Sequence, residues 1–289
     1  MQIGVTTYSF EQLISKTGAD YFRICDMAKE IGYEFMDFTD IVPERAGMTD
    51  ELEAAKAVRA YCEKIGIEVG CYTVGADFIN GSDGDIEREI AKTKRKVDIA
   101  NALGARIMRH DAASMFKSPE RGRNYRDAIA IIAPAVREVT EYAAALGIRT
   151  CTENHGYFMQ DSNRVEELIL AVNNPNYGWL VDVGNFRCAD EDSVHAVSVA
   201  APYAFHVHVK DFLYKPGSEI DPGDGWFKTR GGNYIRGTVV GHGIIPVAQC
   251  VAILRNAGYD GKFTVEFEGM EENADALKAA YNYMKRITA

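Results

Sequence analysis

Four polar side chains close four consecutive β-like runs in the second half of the chain. Glu153 is the last residue but one of IRTCTEN and Asp182 the last but one of GWLVDV, His208 lies in AFHVHVK and Glu266 in FTVEFEG. Each is embedded in apolar residues, which in a strand alternate with it across the two faces. Three carboxylates and an imidazole aimed at one point repel one another unless a divalent cation joins them. Oxygen-rich sets with one imidazole suit Mn²⁺ or Mg²⁺, and Co²⁺ or Zn²⁺ can take the same ligands. With no thiolate in the set, a structural zinc site is not expected.

Period-two alternation extends the group. His206, His208 and Lys210 share one face, as do Cys151, Glu153 and His155, and Thr264, Glu266 and Glu268. Lys210 is placed to balance carboxylates or hold substrate oxygens, and His155 to line a pocket. His110, ending ARIMRH, and His242, between glycines in VVGHGII, are further candidates for substrate binding or proton transfer. Trp226 is the candidate lid contact, since sugar faces stack on aromatic rings.

These residues need a scaffold that brings strand ends together. Eight β-like runs begin near positions 3, 33, 67, 105, 148, 178, 204 and 263, separated by segments of helical periodicity that stop at glycines such as Gly104 and Gly147. Such spacing fits strand, helix and two short loops per unit. The reading is an α/β protein: a single (β/α)8 TIM barrel over residues 1–289, with a long loop, Asp211–Ile245, after the seventh strand. Barrels of this kind collect their sites at the carboxyl ends of the strands. A doubly wound sheet is disfavoured because VTTYSFEQL, after the first strand, holds no glycine-rich phosphate loop.

Composition narrows the partners. Lys+Arg is 32 against Asp+Glu 42, a formal charge of −10, which argues against nucleic acid and anionic membranes. No apolar run is long enough to span a bilayer, and MQIGVTTYSFEQL does not read as a signal peptide. Six scattered cysteines read as reduced core thiols in a cytoplasmic protein. The expected partner is a small molecule, which the resemblance given below makes a carbohydrate, and the sequence leaves room for a homo-oligomer.

The motifs TENHG (152–156), VDVGNF (181–186), HVHVKDF (206–212) and GYDGKFTVEFEG (258–269) resemble the sugar phosphate isomerase/epimerase group of xylose isomerase-like TIM barrels, with its ketose 3-epimerases, inosose dehydratases and hydroxypyruvate isomerase. The resemblance implies a metal quartet of Glu153, Asp182, His208 and Glu266, Mn²⁺ as the first choice of ion, and chemistry beside a carbonyl. It implies that Glu153 and Glu266 move a proton through an enediolate, giving a metal-dependent sugar isomerase or epimerase acting on a ketose or keto-sugar derivative. The alternative on the same barrel is a keto-sugar or inosose dehydratase, which expels a β-hydroxyl after the same proton abstraction. An endonuclease IV-like phosphodiesterase is the remote alternative, because its three-zinc cluster needs more His and Asp ligands. The sequence departs from sugar-epimerase relatives at Asn185, where a His is common, and at Tyr214, where some carry Arg; Asn185 can hydrogen-bond a substrate hydroxyl but cannot act as a general acid.

Overall fold

In a computed structural model that describes residues 1–117 and 124–289, eight parallel strands close into a barrel. The first seven are β1 (Ile3–Thr6), β2 (Phe35–Thr39), β3 (Glu68–Val74), β4 (Ile107–His110), β5 (Arg149–Glu153), β6 (Tyr177–Asp182) and β7 (Ala204–Val209). The chain then leaves the barrel for β8 (Asp211–Lys215), β9 (Phe227–Lys228) and β10 (Tyr234–Thr238), and returns as β11 (Phe263–Val265), which pairs with β1 and β7. The helices between barrel strands are α1 (Glu11–Thr17), α2 (Tyr21–Ile31), α3 (Glu51–Ile65), α4 (Ile86–Leu103), α5 (Tyr125–Ala145), α6 (Ser162–Val172), α7 (Ser193–Ala200) and α8 (Val247–Asn256), and α9 (Asn273–Thr288) follows β11. None of the helices among the described residues is long and apolar enough to cross a membrane.

The helices form where caps and apolar stripes coincide. Asp20, Asp50 and Asp85 accept backbone N–H bonds at the starts of α2, α3 and α4. Gly32, Gly66 and Gly104 end the same helices in left-handed conformation, as capping preferences require. Their buried stripes pack on the outward residues of the strands: Val181, Val207, Val209 and Val265 are all fully buried. All six cysteines are free and buried.

The excursion after β7 departs from the expected loop. Residues 211–238 contain a three-stranded antiparallel sheet in the order β8-β10-β9. DFLYK and YIRGT carry the β-branched and aromatic residues that favour pairing, but the glycines and acids between them mask the pattern. Asp211 anchors the sheet's return to the barrel: its carboxylate accepts N–H bonds from Phe212, Gly241, Gly243 and Ile245 at 2.8–3.0 Å.

Parallel register decides which side chains meet inside the barrel. Thr73 lies beside Arg109, Asp182 beside His208, and His208 beside Thr264. Below this level Cys71, Cys151 and Leu180 form a small apolar cluster separate from the main core, a floor that keeps water from entering underneath.

Candidate metal and proton-transfer site

Glu153, Asp182 and His208 come together at the carboxyl end of the barrel, with one ligand atom of each lying within 4.8 Å of the others. All three are buried. Asp182 owes its orientation to the turn after β6. Its Oδ1 accepts N–H bonds from Gly184 at 2.8 Å and Asn185 at 2.9 Å, while Oδ2 is buried without a hydrogen-bond partner. The turn needs a glycine: a Cβ on Gly184 would fall 2.7 Å from the Lys210 carbonyl oxygen. Burial pushes the Asp182 carboxyl up to about 7; Lys210 opposes this and the nearby Glu153 and Glu266 add to it. The nearest cation to this oxygen is the Lys210 ammonium, 3.8 Å away; a desolvated carboxylate oxygen without a hydrogen bond, beside another carboxylate and an imidazole, favours a further positive charge there.

Glu266 joins from just past β11, where its N–H bonds to the Val209 carbonyl at 3.0 Å. Its Oε2 lies 2.9 Å from His208 Nδ1, yet that nitrogen has no aligned hydrogen-bond partner. Its Oε1 lies 2.6 Å from Lys210 Nζ. Burial works to raise the Glu266 carboxyl, but Lys210 and His208 outweigh it and hold it well below the usual range. Two carboxylates and one imidazole, those of Glu153, Asp182 and His208, thus converge closely enough to hold one ion, a set that suits a hard divalent ion, and Glu266 lies beside them against His208 and Lys210.

A cavity of about 220 Å³ opens above these groups, lined among others by Tyr8, Arg109, Glu153, His155, Lys210 and Glu266. Asn185 ties the rim together: its Nδ2 donates to Glu153 Oε1 at 2.7 Å and its Oδ1 accepts from Lys210 Nζ at 3.3 Å. Lys210 is buried and also lies 3.6 Å from Glu268. His155 is about half exposed, with Nδ1 3.2 Å from Asp111 Oδ1. Its place in the cleft disfavours charge, but Asp111 more than offsets this, and the imidazole pKa is raised.

The matching family model, described as xylose isomerase-like TIM barrel, spans residues 25–287. The chain belongs to that family. L-ribulose-5-phosphate 3-epimerase from Escherichia coli is 22% identical over 282 residues, covering 93% of this chain and 90% of that one. Among solved structures, the zinc-containing IOLI protein superposes with a TM-score of 0.77 at 15% identity, covering 99% of this chain and 98% of that one. The probable 3-DHS dehydratase AsbF from Bacillus anthracis gives a TM-score of 0.74 at 20% identity, with 99% of each chain covered.

Three expected pocket residues of this xylose isomerase-like barrel lie elsewhere. His110 is fully buried, with Nδ1 2.9 Å from the Asp111 carbonyl oxygen and its ring between Phe78 and Tyr177. Alternation explains it: if Arg109 faces inward, His110 must face the helices. His242 is exposed in the turn that Asp211 pins and lines none of the cavities around the barrel mouth. Trp226 packs under Arg236, whose guanidinium lies 5.5 Å from the indole ring; its neighbour Phe227 reaches the cleft instead.

Two residues that chemistry by type alone overlooks stand at the centre. Arg109 Nη2 lies 2.7 Å from both Glu153 Oε2 and Asp111 Oδ1. Fully buried Asp37 accepts from His206 Nε2 at 2.6 Å, His208 Nε2 at 3.0 Å and Thr264 Oγ1 at 2.7 Å through Oδ2, and from the Cys71 N–H at 2.6 Å through Oδ1. Asp37, His206 and His208 also converge closely enough to hold an ion, but Asp37 already bonds both imidazoles, and through Nε2 it fixes the orientation of His208. The parity of Ile107 in ARIMRH and of Phe35 in FMDFT was the available signal for both.

Proposed function

We propose that this protein is a divalent-metal-dependent isomerase or epimerase of a ketose or keto-sugar derivative, with Glu153 and Glu266 as the proton-transferring pair. The observation that carries the reading is the convergence of Glu153, Asp182 and His208 on one point, with Asp182 Oδ2 buried there without a hydrogen bond and 3.8 Å from Lys210 Nζ. Glu153, Asp182, His208 and Glu266 would hold the ion, with Mn²⁺ the first choice and Mg²⁺, Co²⁺ or Zn²⁺ fitting the same donors. Such an ion supplies Lewis acidity at a carbonyl and lowers the cost of charge on its oxygen.

The chain's own groups do the rest. Glu153 is gripped at both oxygens, by Asn185 at 2.7 Å and by Arg109 at 2.7 Å, so its carboxylate is held in one orientation over the cavity. Glu266 reaches the same cavity from the other side of β6 and β7. One carboxylate takes the proton from the carbon next to the carbonyl. The C–H electron pair becomes the enediolate double bond, and the carbonyl π pair moves to oxygen. For inversion the opposite glutamate must enter the step as the protonated acid and gives that proton to the other face of the carbon, the first glutamate keeping the one it took; for carbonyl migration the abstracted proton returns to the former carbonyl carbon. Lys210 and Arg109, both lining the cavity, oppose the negative charge that develops. Turnover in D₂O tests the reading: metal-reconstituted protein should wash solvent deuterium into a ketose or keto-sugar, and no exchange across a panel of such substrates would refute it.

A dehydratase is the second reading, and His155 favours it. An imidazole of raised pKa against Asp111, half exposed at the cavity rim, is suited to protonate a departing hydroxyl. Loss of water from a keto-sugar or keto-inositol in the same NMR experiment separates the two.

A further inference from the structure

The cleft does not end at the proton-transferring pair. A second cavity of about 450 Å³ lies alongside, and His155 belongs to the walls of both. Its lining includes the small residues Gly75, Ala76, Ala113 and Gly156, whose short side chains leave the space open. Its polar wall presents Asp40, Asp77, Asp111, Ser114, Lys92 and Lys96. A third cavity of about 230 Å³, between His155 and Phe227, adjoins the first through Lys210 and Glu268.

The charges in these cavities are already matched. Lys96 Nζ sits 2.8 Å from Asp40 and 3.0 Å from Glu51, and Lys92 Nζ 3.3 Å from Glu89. Arg109 bridges Asp111 and Glu153 at 2.7 Å each, and Lys210 faces Glu266 at 2.6 Å. Among the described residues, every Lys and Arg lining the three cavities therefore faces a carboxylate. A phosphate would need an unengaged cation or a nest of free backbone N–H groups, and in the larger cavity it would instead meet Asp40, Asp77, Glu89 and Asp111. Hydroxyl groups suit the same wall, because they donate to carboxylates and accept from ammonium groups.

Building on the isomerase or epimerase reading, we infer that the substrate is an unphosphorylated glycoside. Its keto unit lies over Glu153 and Glu266, and a second neutral polyhydroxylated unit fills the cavity between Asp40 and Ser114.

Saturation-transfer NMR on the Mn²⁺-loaded protein tests this, using ketoses in free, phosphorylated and glucosylated form, fructose, fructose 6-phosphate and isomaltulose among them. The glucosylated member should bind at least tenfold more tightly than the phosphorylated one, with saturation reaching the glucose ring protons. Ser114→Trp, which fills the cavity from an exposed position, should abolish the gain, and Ala76→Leu should reduce it. Tighter binding of the phosphorylated member, or a gain that survives both substitutions, overturns the inference. Deuterium exchange in the same samples keeps the two readings apart. Exchange without preference for the glucosylated form sinks the second-unit cavity alone, whereas binding of the second ring with no exchange in any substrate supports the cavity and sinks the isomerase.

Discussion

Asp37 Oδ2 lies 3.0 Å from His208 Nε2, which it holds from behind. With Asp37 at Nε2 and Glu266 Oε2 2.9 Å from Nδ1, the imidazole sits between two carboxylates that outweigh burial and raise its pKa well above the ordinary value; a bound ion would take Nδ1 in place of its proton. Burial alone would raise the Asp37 carboxyl, but His206 and His208 outweigh it and hold it well below the usual carboxylate range. The fully buried carboxylate thus acts as the fixed base on which the imidazole is mounted.

Asp37→Asn should weaken divalent-metal binding about 10–100-fold, the usual effect of losing a partner behind a ligand. The amide can still accept at one atom, but its NH₂ group confronts the donors of His206 and Thr264. Chelator competition measures the affinity; binding equal to the parent's would remove Asp37 from this role. Circular dichroism on the same samples separates the loss from unfolding.

Arg109 poses the opposite test, because it holds two carboxylates rather than two imidazoles. Arg109→Gln removes the cation that Glu153 and Asp111 share and leaves Asp111 with His155 alone. Breaking a buried ion pair in this way costs about 3–5 kcal/mol, so the urea midpoint should fall clearly. Arg109→Lys should recover part of that stability, yet only part of the deuterium-exchange rate, since an ammonium cannot span both carboxylates as the planar guanidinium does. Full recovery of the exchange rate by Lys would show that charge alone matters.

Most of this architecture is legible in the chain itself. The strands and helices announce themselves through Asp caps, Gly stops and valine-rich runs, because these are local signals. So do Glu153, Asp182 and His208, which follow from alternation along their own strands. The sheet at residues 211–238 is hidden because its strands are short and separated by glycine-rich turns. His110 misleads because imidazole chemistry draws attention, whereas parity along β4 gives the inward position to Arg109. Asp37 is hidden differently: its role lies in contacts with β7 and β11, far away in sequence, which no local pattern encodes.

Acid should expose Asp111. Burial raises its carboxyl, but Arg109 and His155 outweigh burial and bring it to about 2, against about 3.9 in an unfolded chain. The unfolded state therefore binds the proton more readily. The stabilisation is complete above about pH 4 and is lost as pH falls towards 2. The stability gap between the parent and Asp111→Asn should accordingly shrink by on the order of 1 kcal/mol between pH 6 and pH 3. Urea unfolding at the two pH values reads it, and a gap that stays constant or widens in acid would contradict the assignment.

Removing the ion and removing the glutamates should fail in different ways. Dialysis against a chelator is expected to abolish deuterium exchange while leaving the barrel folded, because β1–β7 and β11 are closed by their own ladders and helices. Returning Mn²⁺ should restore the rate and raise the melting temperature with metal concentration, as any ligand of the native state does. On the proposed reading, Glu153→Gln and Glu266→Gln each remove a carboxylate that would both bind the ion and move a proton. Each should lose at least two orders of magnitude in exchange even at saturating Mn²⁺, where elemental analysis shows the site filled. Parental exchange by either variant under those conditions would show that the proton travels through some other group.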